Sequence, residues 1–505
     1  MSLPDWLDPL WLAEEMRAAD DWAVSRDGIA SLDLMERAGE GLASVVSQAA
    51  GDGPLRVVIG SGNNGGDGLV AARLLRSAGR DVQVLAAAAL DRLEGDALTN
   101  LERLAGPAPE PFAPELLEGS GIVVDALLGT GFSGLPRGLA AAAIAAINAQ
   151  AAPVVACDVP SGVDASSGEV AAEAVHATAT ATFHGEKLGL RVAPGAHCAG
   201  AISVVAIGIG RGAPAPANAG LISDRALALV PARPRSGSKF ISGIVVIAGG
   251  SRGLSGAPRM AALASMRAGA GYVQLAVPAS TQATFELALM EAMTRGLADE
   301  DGAHGPAGVD ALVEMAAQAG CVVLGPGLGR SEGAMAFARA ASAAVDVPML
   351  IDADGLNAYA GVLESLGERR AATVLTPHAG EMGRLLGRPS SEVEERRLEA
   401  AREAALRSGA VVVLKGDDSI VAAPGGPVAV SRGATPALAT AGTGDVLSGI
   451  VGALLAKGFG PFEAAAAGVL AHARAGRVAA ERHGADHTIA GDVIEAIGAG
   501  MRAGP

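Results

Sequence analysis

Three cysteines in 505 residues (Cys157, Cys198 and Cys321) are too few and too scattered for a disulfide framework or a zinc site. Aromatic residues make up only 3%, so the base-stacking platforms of RNA-binding modules are poorly supplied. No long basic run occurs. The 38 Lys and Arg face 54 Asp and Glu, and the resulting net charge of −16 repels phosphate backbones. Nucleic acid is therefore not an expected partner, although a small anion can still bind locally through backbone N–H groups. Mean hydropathy is +0.35, yet alanine dominates the apolar tally and no run of about 18 large apolar residues appears. No membrane association is expected. The opening MSLPDWLDPLW carries acids where a signal peptide carries bases, so a cytoplasmic protein is expected. Glycine (70) and proline (27) together stay below the roughly 25–30% of low-complexity chains.

Half of the residues are hydrophobic, and a chain of this length supplies more than one core. Short β-branched runs alternate with alanine-rich stretches throughout. Strands are expected at 55–60, 81–86, 121–126, 153–159 and 202–208, then at 243–249, 272–278, 321–325, 348–353, 372–376 and 410–415. Continuous apolar runs of this length, separated by helices, imply parallel strands buried on both faces. Residues 31–50 show the helical period, with Leu32, Met35, Ala38, Leu42, Val45 and Val46 at three- and four-residue steps. The fold class is α/β, twice over. Between the two strand sets, residues 211–238 are rich in Pro, Gly, Ala and Ser and read as a linker holding one short amphipathic piece, SDRALALV. This divides the chain into domains at 1–215 and 220–505.

In open α/β sheets, ligands bind at the carboxyl ends of strands, so those ends carry the functional reading. Strand 55–60 runs into GSGNNGGDG (60–68) and then a helix, LVAARLLRSAG. A tight βα turn accounts for a glycine pair, but Asn63, Asn64, Gly65, Gly66 and Asp67 add carbonyl and carboxylate oxygens to it. The Lys-Ser/Thr ending of a P-loop is missing. Strand 121–126 ends in Asp125 and LLGTGFSGLPRG (127–138), where a carboxylate either caps the next helix or captures a cation or ligand. Strand 153–159 ends in Cys157-Asp158-Val159-Pro160-Ser161-Gly162; alternation turns Cys157 into the core, and Asp158 and Ser161 leave the sheet on the side of Asp125.

GNNGGDG, DALLGTG and DVPSGVD, in this order, resemble the NAD(P)H-hydrate epimerase family, and so do the segments 15–39 and TFHGEKLGL (182–190). The resemblance covers about residues 10–215. It implies a Rossmann-like parallel-sheet domain binding a hydrated nicotinamide dinucleotide and one potassium ion. By that family's pattern, the 63–67 turn and the loop Gly129, Thr130, Gly131, Phe132, Ser133, Gly134 and Leu135 hold the dinucleotide. Asn64, Asp125 and Ser161 offer oxygens to potassium, and Asp158 is the acid/base at C6 of the damaged ring and a substrate contact. Lys187 is either a ligand contact or a solvated loop cation.

In the second half, strand 410–415 ends in KGDDS, and ATAGTGDVLSGIVGALLAKG (439–458) follows. Consecutive N–H groups of Gly442, Thr443 and Gly444 at a helix start form an anion hole for a transferring phosphoryl group, and Asp445 in the first turn can take a proton from a hydroxyl. Lys415, Gly416, Asp417, Asp418 and Ser419 line the adenine nucleotide. GTGD resembles the ribokinase-like small-molecule kinases. Residues 249–275, GPGLGR (325–330), DADGLN (352–357) and TPHAGEMGRLL (376–386) narrow this to a resemblance to the ADP-dependent NAD(P)H-hydrate dehydratase family over about 220–500. That resemblance implies a ribokinase-like α/β domain and ADP-dependent loss of water from the S hydrate, with Mg2+ accompanying ADP. It also implies that Ala257, Gly327, His378 and Asp445 contact the hydrate and that 415–419 and Gly444 contact AMP. His472 reads as packing, His483 and His487 as solvated, and Met260 and Tyr272 stand where leucines are expected.

The expected partners are thus small molecules (the hydrates of NADH and NADPH, and ADP) and further copies of the chain. Two other classes share parts of the pattern. A small-molecule kinase of the vitamin-precursor type would keep GTGD but phosphorylate a stable alcohol with ATP. A non-enzymatic dinucleotide sensor would keep the first-half loops and have no use for Asp445.

Overall fold

The computed structural model describes residues 3–49, 53–233 and 239–502. They form two compact units, the first built from Pro9–Ala219 and the second from Pro4–Asp8 together with the chain from Gly220 onward. Each is α/β.

The first unit has a seven-stranded sheet in the order Glu110–Pro111, Val82–Ala86, Leu55–Ile59, Ile122–Ala126, Val154–Cys157, Ala179–Phe183 and Ala201–Val205, parallel at every pairing. The winding reverses between Leu55–Ile59 and Ile122–Ala126, which opens a crevice at their carboxyl ends. Helix Ser31–Ala49 buries Leu34, Met35, Ala38, Leu42, Val45 and Val46. Leu32 is only half-buried, because the inward stripe starts at Leu34; residue 50 lies outside the described residues.

The second unit holds an eleven-stranded sheet. From the Met293–Leu297 edge it runs through Tyr272–Pro278, Ile244–Ala248, Cys321–Leu324, Met349–Ile351 and Thr373–Leu375 to Val411–Leu414, all parallel. Its winding reverses between Ile244–Ala248 and Cys321–Leu324. Beyond Val411–Leu414 two strands that the sequence reading did not foresee, Ile420–Ala422 and Val428–Val430, add as antiparallel neighbours, which short connections permit and a parallel crossover would not. Ala219–Ile222 and then Leu7–Pro9 complete the sheet.

The expected linker at 211–238 is therefore corrected. Its middle, AGLI at 219–222, is a fully buried strand, and Arg225–Ala228 is a helical turn. Four consecutive small and apolar residues suffice for a buried strand among loop formers. Residues 234–238 of that stretch lie outside the described residues.

Among the described residues four non-glycine residues have positive φ (Asp158, His184, Asp301 and Ala353), each just beyond a strand's carboxyl end. Such conformations cost about 1–3 kcal/mol each and gather at functional sites.

Candidate functional site

The first centre forms around the crevice of the seven-stranded sheet. Helix Asn63–Ser77 begins at Asn63, not after Gly68 as the sequence suggested, with Gly62 as its N-cap. The N–H groups of Asn63, Asn64 and Gly65 therefore stand at a helix start, outside the helical ladder. The glycines are there for close approach: a Cβ at Gly65 would lie 2.2 Å from the Gly60 carbonyl oxygen, and one at Gly66 2.6 Å from Met35 Sδ. Packing outweighs their weak helix propensity.

Beneath this helix start, Asp125 is fully buried. Its Oδ1 accepts from Ser161 Oγ (2.6 Å) and its Oδ2 from Ser161 N (2.8 Å). The Leu128 N–H donates to Ser161 Oγ at 2.9 Å, and Asn64 Nδ2 donates to the Leu128 carbonyl at 3.1 Å. Asn64, Asp125 and Ser161 are thus brought together by direct contact or through Leu128. Burial pushes the Asp125 carboxyl up to about 6, against the pull of its bonds from Ser161 and Leu127.

One strand over, Asp158 is also buried. Thr130 donates to its Oδ2 through its hydroxyl and through its N–H at 3.3 Å. Lys187, only 1% exposed, donates to Asp158 Oδ1 at 2.5 Å, to Thr182 Oγ1 at 3.0 Å and to the Phe183 carbonyl at 2.9 Å. Lys187 is therefore no solvated loop cation. Burial raises the Asp158 carboxyl, but the adjacent Lys187 ammonium and the Lys187 and Thr130 bonds outweigh it and hold it below the usual range. Gly129 and Thr130 face this centre, whereas Gly131, Ser133, Gly134 and Leu135 are exposed and Phe132 half-buried. Cys157 is a buried thiol raised by its enclosure, as its core reading required.

The second centre lies at the carboxyl ends of the eleven-stranded sheet. Gly442, at φ 92°, caps helix Thr443–Ala456, so GTGD does open a helix. Thr443 Oγ1 closes the turn by donating to the Leu438 carbonyl at 2.7 Å. Lys415 Nζ donates to Asp352 Oδ1 at 2.9 Å, while Ser448 Oγ donates to Asp352 Oδ2 at 2.6 Å. Glu381 Oε2 lies 3.6 Å from Lys415 Nζ. A Cβ built on Gly444 would be 3.4 Å from that same Nζ, so the anion-hole turn and the 415 loop meet here. Burial, then Asp352, pushes the Asp445 carboxyl up to about 7, with Lys415 opposing.

Ala257 and Gly327 also come together: a Cβ on Gly327, at φ 64°, would stand 3.3 Å from Ala257 Cβ. His378 caps helix Ala379–Leu386, its Nδ1 accepting from Gly380 N at 3.0 Å and Glu381 N at 3.3 Å. Its other ring nitrogen, Nε2, lies 3.5 Å from Glu381 Oε1, and the His378 side chain is exposed. Met260 packs on Gly442, while Tyr272, on strand Tyr272–Pro278, sits against Phe240 in the short turn Lys239–Ser242. His472 is buried enough to be held neutral, its value lowered to about 4, in keeping with packing.

One nucleotide contact needs correction. Asp418 turns inward, 4% exposed, and forms a bidentate ion pair with Arg397 at 2.6 and 3.0 Å. Ser419 Oγ is spent inside its own turn, on the Gly416 carbonyl at 2.8 Å. The loop therefore presents backbone from Gly416 and Asp417 more than side chains. Breaking the buried pair with Arg397→Met leaves an uncompensated carboxylate, expected to cost about 3–5 kcal/mol in chemical denaturation followed by second-unit activity. Arg397→Met with Asp418→Leu is expected to recover most of the loss; a single variant as stable as the parent would show the pair to be idle.

Residues 245–498 match the NAD(P)H-hydrate dehydratase family, and residues 31–189 match the family of YjeF-related protein N-termini. The bifunctional NAD(P)H-hydrate repair enzyme of Salinibacter ruber is 41% identical, over 97% of this chain and 95% of its own. The chain belongs to that family. Its members of the same name from Moorella thermoacetica and Escherichia coli are 38% and 35% identical, over 96% and 97% of this chain and 94% and 93% of theirs. A crystal structure of the ADP/ATP-dependent NAD(P)H-hydrate dehydratase from Bacillus subtilis, with ATP/Mg2+, is 26% identical with a TM-score of 0.48, covering 55% of this chain and 96% of that one. As a member of the NAD(P)H-hydrate repair family, the chain carries an epimerase-type first unit and a dehydratase-type second unit.

Reading the sequence missed Asp352, Glu381 and Asp20, a half-buried acid on helix Ala13–Ser25 whose carboxyl is pushed up to about 6 by burial. Asp352 follows strand Met349–Ile351 directly, the same signal that singled out Asp125 and Asp158. Asp20 carries no such signal.

Proposed function

We propose that the first unit interconverts the R and S hydrates of NADH and NADPH at C6, and that the second dehydrates the S hydrate with ADP, giving NAD(P)H, AMP and phosphate. The observation that carries this reading is Asp445. It stands one residue after a turn of N–H groups suited to phosphoryl oxygens, and its carboxyl is poised near 7 for proton transfer. In this reading Gly442, Thr443 and Gly444 receive the phosphoryl group, the 415–419 loop receives the nucleotide, and Ala257, Gly327 and His378 receive the hydrate.

In the first unit, Asp158 is the acid/base, and 63–67 with 129–135 hold the dinucleotide. The donor set of Asn64, Asp125 and Ser161 is all oxygen, with one carboxylate, an amide whose Nδ2 is already committed to Leu128, and a hydroxyl. That chemistry fits a hard monovalent cation such as potassium, which Asn64, Asp125 and Ser161 would hold and which would supply positive charge to the site. In the second unit this reading takes Mg2+ as accompanying the phosphates of ADP. Among the described residues, no helix is long and apolar enough to cross a membrane. The reading takes the chain as an assembly of like copies in the cytoplasm, with no nucleic-acid or membrane partner.

Separated R and S hydrates provide the test. S plus ADP should regain reduced-nicotinamide absorbance at once, and R only as fast as it is epimerised. Absence of recovery from S with ADP refutes the dehydratase reading, and phosphorylation of a stable alcohol by ATP would put a kinase in its place.

A further inference from the structure

In the second unit, Glu300-Asp301-Gly302-Ala303 closes the short antiparallel pair Asp299–Glu300 and Ala303–His304. Both central residues have positive φ, 52° at Asp301 and 78° at Gly302, the two-residue hairpin turn that Asp-Gly favours. This hairpin grips the chain leaving strand Ile244–Ala248 at two points. At its tip, the Gly302 carbonyl accepts from Arg252 N at 2.8 Å. At its foot, His304 Nε2 stands 3.0 Å from the Gly249 carbonyl oxygen. A carbonyl only accepts, so Nε2 carries the ring proton and Nδ1 is bare. His304 is fully buried and stacked on Phe337, with ring centroids 4.6 Å apart, and its Nδ1 has no partner among the described residues. Burial keeps the ring neutral, lowered to about 4 against the Gly249 bond and the Asp299 charge. A phenyl ring would fill this place without burying an unpaired nitrogen. What the imidazole adds over it is the bond to Gly249.

The segment that His304 holds leads into the hydrate site. Gly250, at φ 82°, donates its N–H to the Pro326 carbonyl at 2.9 Å, and Ser251 Oγ donates to the Gly327 carbonyl at 3.0 Å. Neither turn has slack. A Cβ at Gly249 would lie 2.2 Å from the Pro326 carbonyl oxygen, and one at Gly327 2.4 Å from the Leu254 carbonyl oxygen. Residues 249–257 and 325–329 are thus interlocked, and Ala257 meets Gly327 between them. We propose that His304 is a positioning residue of the second unit, fixing the 249–257 turn against the Gly327 turn through the Gly249 carbonyl and so setting the shape of the site that takes the hydrate. This rests on the reading that Ala257 and Gly327 receive the hydrate. In this role His304 neither touches substrate nor moves a proton. The 299–304 hairpin is a brace, and weakening it should loosen hydrate binding while leaving the chemistry at Asp445 alone.

His304→Phe and His304→Gln in the full chain provide the test. Phenylalanine keeps the stack on Phe337 and loses the donor, whereas glutamine can place an amide N–H where Nε2 stood. With ADP saturating, KM of the Phe variant for the S hydrate should rise about tenfold, the order of one lost hydrogen bond, with kcat within about threefold of wild type. ADP affinity by calorimetry should stay unchanged, and so should the pH limb near 7 set by Asp445. The Gln variant should recover most of the KM loss. A KM within about twofold of wild type in the Phe variant, a loss confined to kcat, or a Gln variant as poor as Phe would each overturn the assignment. Loss of ADP binding by the Phe variant would overturn it too, because His304 would then serve folding alone. A wild-type chain that binds ADP and does not dehydrate the S hydrate overturns the reading of the second unit and this inference with it; an unmoved KM beside an active wild type overturns the inference alone.

Discussion

Asp445→Asn is expected to slow ADP-dependent dehydration by about 10²–10⁴-fold, the usual contribution of a well-placed general base, with ADP affinity little changed. The substitution keeps size and hydrogen bonding and removes only the basic oxygen. Nucleotide affinity survives because the N–H groups of Gly442 to Gly444 and the 415–419 backbone are untouched. Since burial and Asp352 lift the Asp445 carboxyl to about 7, the free group is protonated and idle below that pH and basic above it. Dehydration should therefore rise through pH 7 to a plateau in wild type and lose that limb in the variant. Asp352→Asn removes one of the charges that raise Asp445, so its limb should move to lower pH. Half-reactions on separated hydrates, with calorimetry for ADP, distinguish the outcomes. Full turnover by the Asn variant eliminates the proposed base, and loss of ADP binding recasts Asp445 as a nucleotide contact.

Asp125→Ala is expected to abolish conversion of R to S hydrate while dehydration of S stays nearly intact. The variant loses the carboxylate of the proposed cation site and also strands the buried N–H of Ser161, which costs about 1–3 kcal/mol locally. Its folded value near 6, above the usual 3.8, means that ionisation at neutral pH lowers the stability of the unit. A cation bound to the carboxylate offsets that cost, so potassium should raise the melting temperature of wild type above pH 6 and not that of the variant. Dehydratase activity in the same preparation reports that the second unit is folded. Epimerisation within about threefold of wild type would rule the assignment out.

The two parallel sheets and the two centres were legible because buried strands announce themselves as β-branched runs and their ends carry glycines and acids. Asp125, Asp158 and Ser161 were found this way, and the structure joins Asp125 and Ser161 to Asn64 through Leu128 and, separately, Asp158 to Thr130. Strand Ala179–Phe183 escaped notice because ATATF alternates small and polar residues, although four of its five are buried. Lys187 was ambiguous for a different reason: nothing local tells a solvated lysine from one whose ammonium is enclosed by residues 29, 5 and 4 positions away. Asp67 was placed with the dinucleotide by its glycine-rich surroundings, whereas its carboxyl is pushed up first by burial and then by the charges of Asp158 and of Asp20, 47 positions earlier. Charge balance of that kind belongs to the assembled crevice and has no local pattern in the chain.

Residues Pro4–Asp8 belong to the second unit although some 210 residues of the first separate them from the rest of it. During synthesis this segment leaves the ribosome ahead of the first unit and finds no partner until Ala219–Ile222 follows. Chain growth at about 5–20 residues per second makes that interval roughly ten seconds or more. The first unit can fold in the meantime, with Pro4–Asp8 still unpaired, and Trp6 can reach its packing place against Phe462 only after some 450 further residues have been made. A gene cut at residue 220 would therefore release a second half with the Ala219–Ile222 side of its sheet uncovered, prone to pairing with its own copies.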